Sequence, residues 1–121
     1  MSLQEIVDLR SGFIMRKIVY NKLVRDKIPE IIEADGKNCA IEVLSDDMYL
    51  KMIDEKLDEE LAEYHKDQNI EELADLIEVI YAAAIARGYS IEELETIRMK
   101  KAENRGGFEK KLLLKNVIDE H

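Results

Sequence analysis

The chain has 121 residues, of which 46% are apolar and 37% are charged, as in one small globular domain with a modest core. Its formal net charge of −9 repels polyanions, which argues against partners such as nucleic acid or anionic membranes. The single cysteine, Cys39, excludes an intramolecular disulfide and a zinc site of clustered cysteine and histidine. A single cysteine suits a reducing cytosol, so we expect a cytoplasmic protein. The sequence shows no signal peptide or transmembrane run.

The N-terminal residues lack the regular pattern seen in the rest of the chain. The stretch MSLQEIVDLRSGFIM is acidic and broken by Arg10 and Gly12. We predict that residues 1–15 are a leader or a poorly ordered extension, and that residues 16–121 form a single domain.

Two kinds of short element are predicted. A short helix is expected in VRDKIPEIIEADGK, with Asp26 as its N-cap, Pro29 in its first turn and Gly36 at its end. Short extended segments are expected near 38–44 and 108–115, although the period of the second is ambiguous.

Three longer helices are predicted from apolar spacings of three and four residues. Ser45 is placed to cap the first, over about 46–66, and the second covers about 70–87. The third begins with a capping box at Ser90 and runs to about Arg105. A three-residue break separates the first two, so they are expected to pack as an antiparallel hairpin.

The second long helix carries apolar residues around most of its circumference. Such a helix must be buried on several sides, and three helices can hardly enclose it. We therefore predict an all-α fold, in which this hairpin and its flanking helices form a four-helix-bundle core across a homodimer or a dimer of dimers. A monomeric bundle is the alternative.

Four carboxylates lie where the two apolar stripes of the hairpin are expected to meet. At roughly 100° per residue, Glu60 and Glu63 flank the first stripe, while Glu72 and Asp75 lie within or beside the second. The other acidic side chains of this region are interpreted as largely solvated charge: Asp58, Glu59, Asp67, Glu71 and Glu78.

Ordinary helix chemistry explains part of this pattern. NIEELADL and SIEELETI share one capping pattern, so capping accounts for Glu72 as well as for Glu93. Asp75 is different, because Thr96 stands at the matching position and no cation lies three or four residues away on the same helix. Four converging carboxylates would repel one another, and a bound divalent cation removes that penalty.

The ligand types indicate which cation is expected. A di-iron bundle needs Glu-x-x-His pairs, but His65 lies two residues after Glu63, on another face of the helix. All-oxygen ligation favours Mg²⁺, with Mn²⁺ as a substitute and Ca²⁺ as a less suitable ion.

Two clusters of cations are candidates for binding phosphate. Lys101 and Arg105 continue the inward stripe of the third long helix, although snorkelling at its end explains them equally well. The second cluster lies in RKIVYNKLVRDK, which supplies Lys22, Arg25 and the amide of Asn21. Cations beside a carboxylate site favour a metal on one side and phosphate oxygens on the other.

The chain resembles the MazG-like and phosphoribosyl-ATP-pyrophosphohydrolase-like superfamily of all-α nucleoside triphosphate pyrophosphohydrolases. The resemblance covers about 20–111 and is carried by KLDEELAE and EELADLIEVI, flanked by YNKLVRDKIPEII and KAENRGGFEKK. It implies a Mg²⁺-dependent hydrolase that cleaves a nucleotide between its α and β phosphates in nucleotide-pool house-cleaning, and an obligate dimer or larger oligomer.

The resemblance also implies roles for individual residues. Glu60, Glu63, Glu72 and Asp75 would hold the metal, and one of them or Glu59 would orient or deprotonate the attacking water, which makes Glu59 and Glu60 the catalytic candidates. The phosphate-binding candidates are Asn21, Lys22, Arg25, Lys101, Asn104 and Arg105.

Two other functions stay open. The eight residues between Glu63 and Glu72 are closer to the spacing of the phosphoribosyl-ATP branch, so hydrolysis of phosphoribosyl-ATP in histidine biosynthesis is one alternative. The other is a non-catalytic helical dimer that binds a nucleotide or a protein, for which neither Asp75 nor Mg²⁺ matters.

Overall fold

The computed structural model describes residues 2–7 and 14–120, and the side chains of residues 16–120. A small sheet comes first in the chain and four helices follow it. In chain order the elements are β1 (Ser2–Val7), β2 (Ile14–Val19), α1 (Ile28–Ala34), α2 (Asp46–Asp67), α3 (Ile70–Ala86) and α4 (Ile91–Arg105).

The two strands form an antiparallel sheet, with Ser2 opposite Val19 and Val7 opposite Ile14. No helix packs on this sheet within the described residues. The all-α prediction is thus confirmed for the helices, while the strands fall largely in the segment that was predicted to lie outside the domain. The prediction of a leader or poorly ordered extension partly concerns residues 1 and 8–13, which lie outside the described residues.

The first helix begins later than predicted. Its N-cap is Lys27, whose backbone is already helical (φ −89°, ψ −3°) and whose side chain makes no capping hydrogen bond. The prediction of Asp26 as the N-cap is therefore wrong, because the helix begins one residue too far along for the Asp26 side chain to cap it. Pro29 lies in the first turn, where its missing N–H costs nothing.

The three longer helices match the prediction within one residue at each end, because their caps form as expected. The hydroxyl of Ser45 accepts a hydrogen bond from Met48 N at 3.3 Å. Asn69 Oδ1 accepts from Glu72 N, and Ser90 Oγ accepts from Glu93 N, each at 3.0 Å. Each cap satisfies an amide that would otherwise lack a partner in the first turn of its helix.

The segments predicted to be extended form no strand. Residues 38–44 and 111–120 have no regular secondary structure, and residues 108–110 form only a bend and a turn. A strand needs a neighbour for its backbone hydrogen bonds, and nothing in the described part of one copy supplies such a neighbour.

Helices α2 and α3 form the predicted hairpin. Gln68 ends α2 in the left-handed conformation (φ 51°), and Asn69 begins α3 at once. The two helices pack along their length. Ile53 of α2 is the only buried side chain among residues 16–120, with 3% of its surface exposed.

One copy of the chain leaves much apolar surface uncovered. Its accessible surface is 11387 Å², against about 6,700 Å² expected for a compact monomer of this mass. Helix α4 contacts only α3 among the described elements, and Tyr81 donates a hydrogen bond across their junction to Glu95 at 3.2 Å. A stripe on α3 stays exposed, with Ile70 at 77% and Ile77 at 48%.

Membrane insertion through a helix finds no support in the fold. None of the helices in the described residues is long and apolar enough to span a bilayer.

Candidate functional site

The α2–α3 hairpin brings together three of the four predicted metal ligands. One carboxylate oxygen from each of Glu60, Glu72 and Asp75 lies within 4.8 Å of the others. Glu60 comes from α2, while Glu72 and Asp75 are three residues apart on α3 and therefore share one face. The three side chains are half-buried, so this group lies at the edge of the helix contact.

The fourth predicted ligand belongs to a neighbouring group. Oxygens of Glu63, Asp67 and Glu72 also lie within 4.8 Å of one another. Glu72 is common to both groups, so the carboxylates form a continuous strip from Asp75 to Asp67. Asp67 was not predicted from the sequence, where it was interpreted as solvated charge. Its position four residues after Glu63, on the same face of α2, is the signal that would have identified it.

Local structure fixes the position of Glu72. The Asn69 cap engages its backbone N–H, so α3 begins immediately after the hairpin turn. Glu72 is the third residue of the helix, which places its carboxylate beside the last turn of α2. The favourable interaction of a negative side chain with a helix N-terminus partly offsets the repulsion from its neighbours.

The pKa of Glu72 reflects this crowding. Loss of hydration and the negative charges of the surrounding carboxylates raise the pKa of Glu72 above its ordinary value. A carboxylate in such a position gains from any cation that arrives between the groups.

Two lysines neutralise the α2 side of the site. Lys56 Nζ lies 3.2 Å from Glu59 Oε2 and 3.2 Å from Glu60 Oε1. Lys22 Nζ donates to Glu59 Oε1 at 2.9 Å, across 37 residues of chain. Loss of hydration would raise the pKa of Glu59, but the hydrogen bonds from Lys22 and Lys56 outweigh it and hold the pKa below its ordinary value. The same bond raises the pKa of Lys22.

An arginine from outside the hairpin reaches its α3 side. Arg25 Nη2 donates to Asp75 Oδ1 at 2.6 Å, and both side chains are partly exposed. The sequence offers no cation for Asp75 three or four residues away on its own helix, and the partner comes from 50 residues earlier in the chain. This contact depends on how the segment before α1 folds onto the hairpin. The spacing of residues in the sequence could therefore not reveal it.

The predicted phosphate-binding residues fall into two sets. Asn21 has a left-handed backbone (φ 47°) and lies with Lys22 along a cleft of about 200 Å³ beside Glu59. Leu23 and Met52 give this cleft an apolar wall. The segment 21–25 is thus brought to the carboxylates as predicted.

The second set of predicted phosphate-binding residues does not lie near the carboxylates within one copy. Lys101, Asn104 and Arg105 lie in the C-terminal half of α4, which makes no contact with α2. No ion pair among residues 16–120 joins Lys101 or Arg105 to the carboxylates. Their predicted role stays a prediction.

The donor set fits a hard divalent cation. The first group offers three carboxylate oxygens in close reach, and nitrogen or sulfur ligands are absent from both groups. Oxygen-only ligation is typical of Mg²⁺ and Mn²⁺ in proteins. Three cations of the chain lie beside the carboxylates: Lys22, Lys56 and Arg25. Their positive charge would suit an anionic ligand placed beside a metal.

Comparison with known proteins leaves the chain without an assigned family. It is similar to an uncharacterised protein of Mycolicibacterium smegmatis (strain ATCC 700084 / mc(2)155), with 57% identity over 42 residues. These residues are 35% of this chain and 43% of that protein, so the chain spans less than half of the relative's length. No protein-family model matches the chain, and no solved structure matches it.

Proposed function

We propose that the protein is a Mg²⁺-dependent nucleotide pyrophosphohydrolase that hydrolyses the anhydride between the α and β phosphates of a nucleoside triphosphate. The observation that carries the proposal is the convergence of Glu60, Glu72 and Asp75 from two helices, with oxygens within 4.8 Å. These residues would hold the metal, with Glu63 and Asp67 completing the strip. When bound, the ion would supply positive charge against phosphate oxygens and would activate water.

The cations of the chain have a complementary role in this proposal. Water attack on phosphorus depends mainly on in-line positioning and on neutralising charge. Lys22 and Arg25, which already lie at the carboxylates, would bind the phosphate oxygens that the metal leaves free. Asn21 would donate a further hydrogen bond from the rim of the neighbouring cleft.

Glu59 and Glu60 remain the candidates for handling the attacking water, and their surroundings separate their roles. Two lysine hydrogen bonds lower the pKa of Glu59, so it accepts a proton poorly near neutral pH. It is better suited to orienting the water or Lys22. Glu60 shares one lysine and lies in the ligand group, so it would hold the metal and stays a candidate for handling the water.

Association of two or more copies is part of the proposal. The accessible surface exceeds that of a compact 14.0 kDa monomer by several thousand Å², which is more than one copy buries in a typical obligate dimer. Pairing of hairpins into a four-helix bundle would cover the exposed stripe of α3. Light scattering should give at least twice the monomer mass, and a monomer at micromolar concentration would contradict this part.

The enzymatic proposal is tested with a substrate panel. Pyrophosphate release is measured from common and modified NTPs and dNTPs, with Mg²⁺, with Mn²⁺ and with chelator. We expect turnover of at least one member that requires the metal and yields the nucleoside monophosphate.

The panel also separates the remaining candidates. Turnover of phosphoribosyl-ATP alone would identify the histidine-pathway reaction as the function. If folded protein turns over nothing and Mg²⁺ does not raise its melting temperature, a non-catalytic binding protein becomes the better account. A cytoplasmic location follows from a nucleotide substrate and is part of the same proposal.

A further inference from the structure

Arg25 forms an ion pair with Asp75, one of the carboxylates that are proposed to hold the metal. Its Nη2 lies 2.6 Å from Asp75 Oδ1, and Asp75 forms a single group with Glu60 and Glu72. A guanidinium bonded at that distance competes directly with a divalent cation for the same carboxylate. Metal and arginine are therefore expected to weaken each other's binding at Asp75.

The backbone of Arg25 is hydrogen-bonded in a turn, and its side chain is more than half exposed. Arg25 O accepts a hydrogen bond from Ile28 N at 3.0 Å, in the turn that leads into α1. The side chain is 57% exposed, and α1 packs against neither α2 nor α3. The ion pair with Asp75 is thus a side-chain link that can break without unfolding a helix.

We propose that Arg25 is a positioning residue that exchanges partners. Without a divalent cation it neutralises Asp75, and when the cation takes Asp75 the guanidinium turns to the phosphate oxygens of the anionic ligand. The exchange rests on the proposed function and adds an order of binding to it: the metal prepares the anion site. Arginine is suited to both partners, because its planar fork matches carboxylate and phosphate alike.

Lys56 is less able to make such an exchange. It pairs with Glu60 at 3.2 Å, but only 15% of its side chain is exposed and it also holds Glu59. Among the described residues Arg25 pairs with one carboxylate, and its side chain is more exposed. The exchange is therefore assigned to Arg25 and not to Lys56.

The exchange has a reciprocal consequence for affinity. If the metal frees Arg25 for the anion, the anion must in turn strengthen metal binding by the same factor. Removing the guanidinium should then strengthen metal binding, because Asp75 loses its competitor. Removing the guanidinium should also weaken anion binding, because the anion loses the N–H donors of the guanidinium.

Calorimetric titration of the full chain with Mn²⁺ tests the first half. We expect Arg25→Gln to bind Mn²⁺ about two- to fivefold more tightly than the unaltered chain, the range that an exposed ion pair supports. Arg87→Gln is the matched control, because Arg87 pairs with Asp54 at 3.4 Å with similar exposure, away from the carboxylate strip. It should leave Mn²⁺ affinity unchanged.

Inorganic pyrophosphate tests the second half, with Mn²⁺ in excess over both protein and anion. Its affinity should fall about tenfold in Arg25→Gln and stay unchanged in Arg87→Gln. Arg25→Lys, which keeps the charge without the fork, should lie between the two. The melting temperature of each variant checks that the fold is retained.

The possible results separate the exchange from the proposed function. If the unaltered chain binds Mn²⁺ but Arg25→Gln binds it equally or more weakly, the exchange is wrong and the metal site stands. If the unaltered chain binds no Mn²⁺ at all, the proposed function fails and the exchange fails with it.

Discussion

The starts of α3 and α4 are nearly the same in sequence, and only one of them contributes to the site. NIEELADL and SIEELETI both begin with a side-chain cap that accepts from the third backbone amide at 3.0 Å. Glu72 and Glu93 occupy matching positions, but α3 begins against the end of α2 and α4 has no contact with α2. The difference shows that a helix start becomes a candidate metal site through the helix beside it.

The largest expected effect comes from Asp75, which stands where α4 has Thr96. Asp75→Asn should lower metal-dependent turnover by at least about a hundredfold and remove the rise in melting temperature with Mg²⁺. Thr96→Asp makes the reverse change in α4 and should create no second site, because no carboxylate of α2 is near. Pyrophosphate release and thermal unfolding with and without Mg²⁺ measure both variants. Intact turnover in Asp75→Asn would overturn the ligand assignment.

The two caps provide the next comparison. Asn69→Ala and Ser90→Ala should each reduce the free energy of unfolding by about 1 kcal/mol, since each leaves one amide of the first turn without its partner. Urea unfolding measures this loss. Only Asn69→Ala should also weaken Mn²⁺ binding, because that cap sets the position of Glu72. Equal Mn²⁺ affinity in the two variants would show that the start of α3 is held by packing alone.

The smallest effect is a dependence of stability on pH. The pKa of Glu72 is raised in the folded chain, so its contribution to stability is present below the ordinary pKa of glutamate, about 4.3, and is lost as pH rises through the folded value. Without metal, Glu72→Gln should therefore raise the melting temperature slightly at pH 7 and not at pH 4. Glu93→Gln controls for the loss of charge at a helix start. An equal rise of the melting temperature in both variants would show that the crowding of carboxylates around Glu72 is not the cause.

Periodicity and capping made most of the helical fold predictable. Ser45, Asn69 and Ser90 mark helix starts that the structure reproduces, and the apolar spacing predicted the α2–α3 hairpin. The N-terminal sheet was missed because its segment shows no clear alternation. Asp26 was assigned the cap of α1 because the pattern could not distinguish two adjacent starts.

The carboxylates of the candidate site were predictable where they depend on one hairpin. Glu60, Glu72 and Asp75 converge as the spacing indicated, because a short connection fixes the register of α2 and α3. Asp67 was missed because a charged residue at a helix end usually reflects solvation. The pairing of Arg25 with Asp75 depends on tertiary structure, which no local pattern encodes. The roles of Lys101 and Arg105 depend on what lies beside α4.

Only one side chain among residues 16–120 is buried, and this affects how backbone amide protons exchange with water. Ile53 of α2 is 3% exposed, whereas the apolar stripe of α3 is open to water in a single copy. Amides of a lone copy would then exchange through local openings along most of the chain. Slow exchange over α3 would therefore be a property of associated copies, and its dependence on protein concentration would report how strongly they are held together.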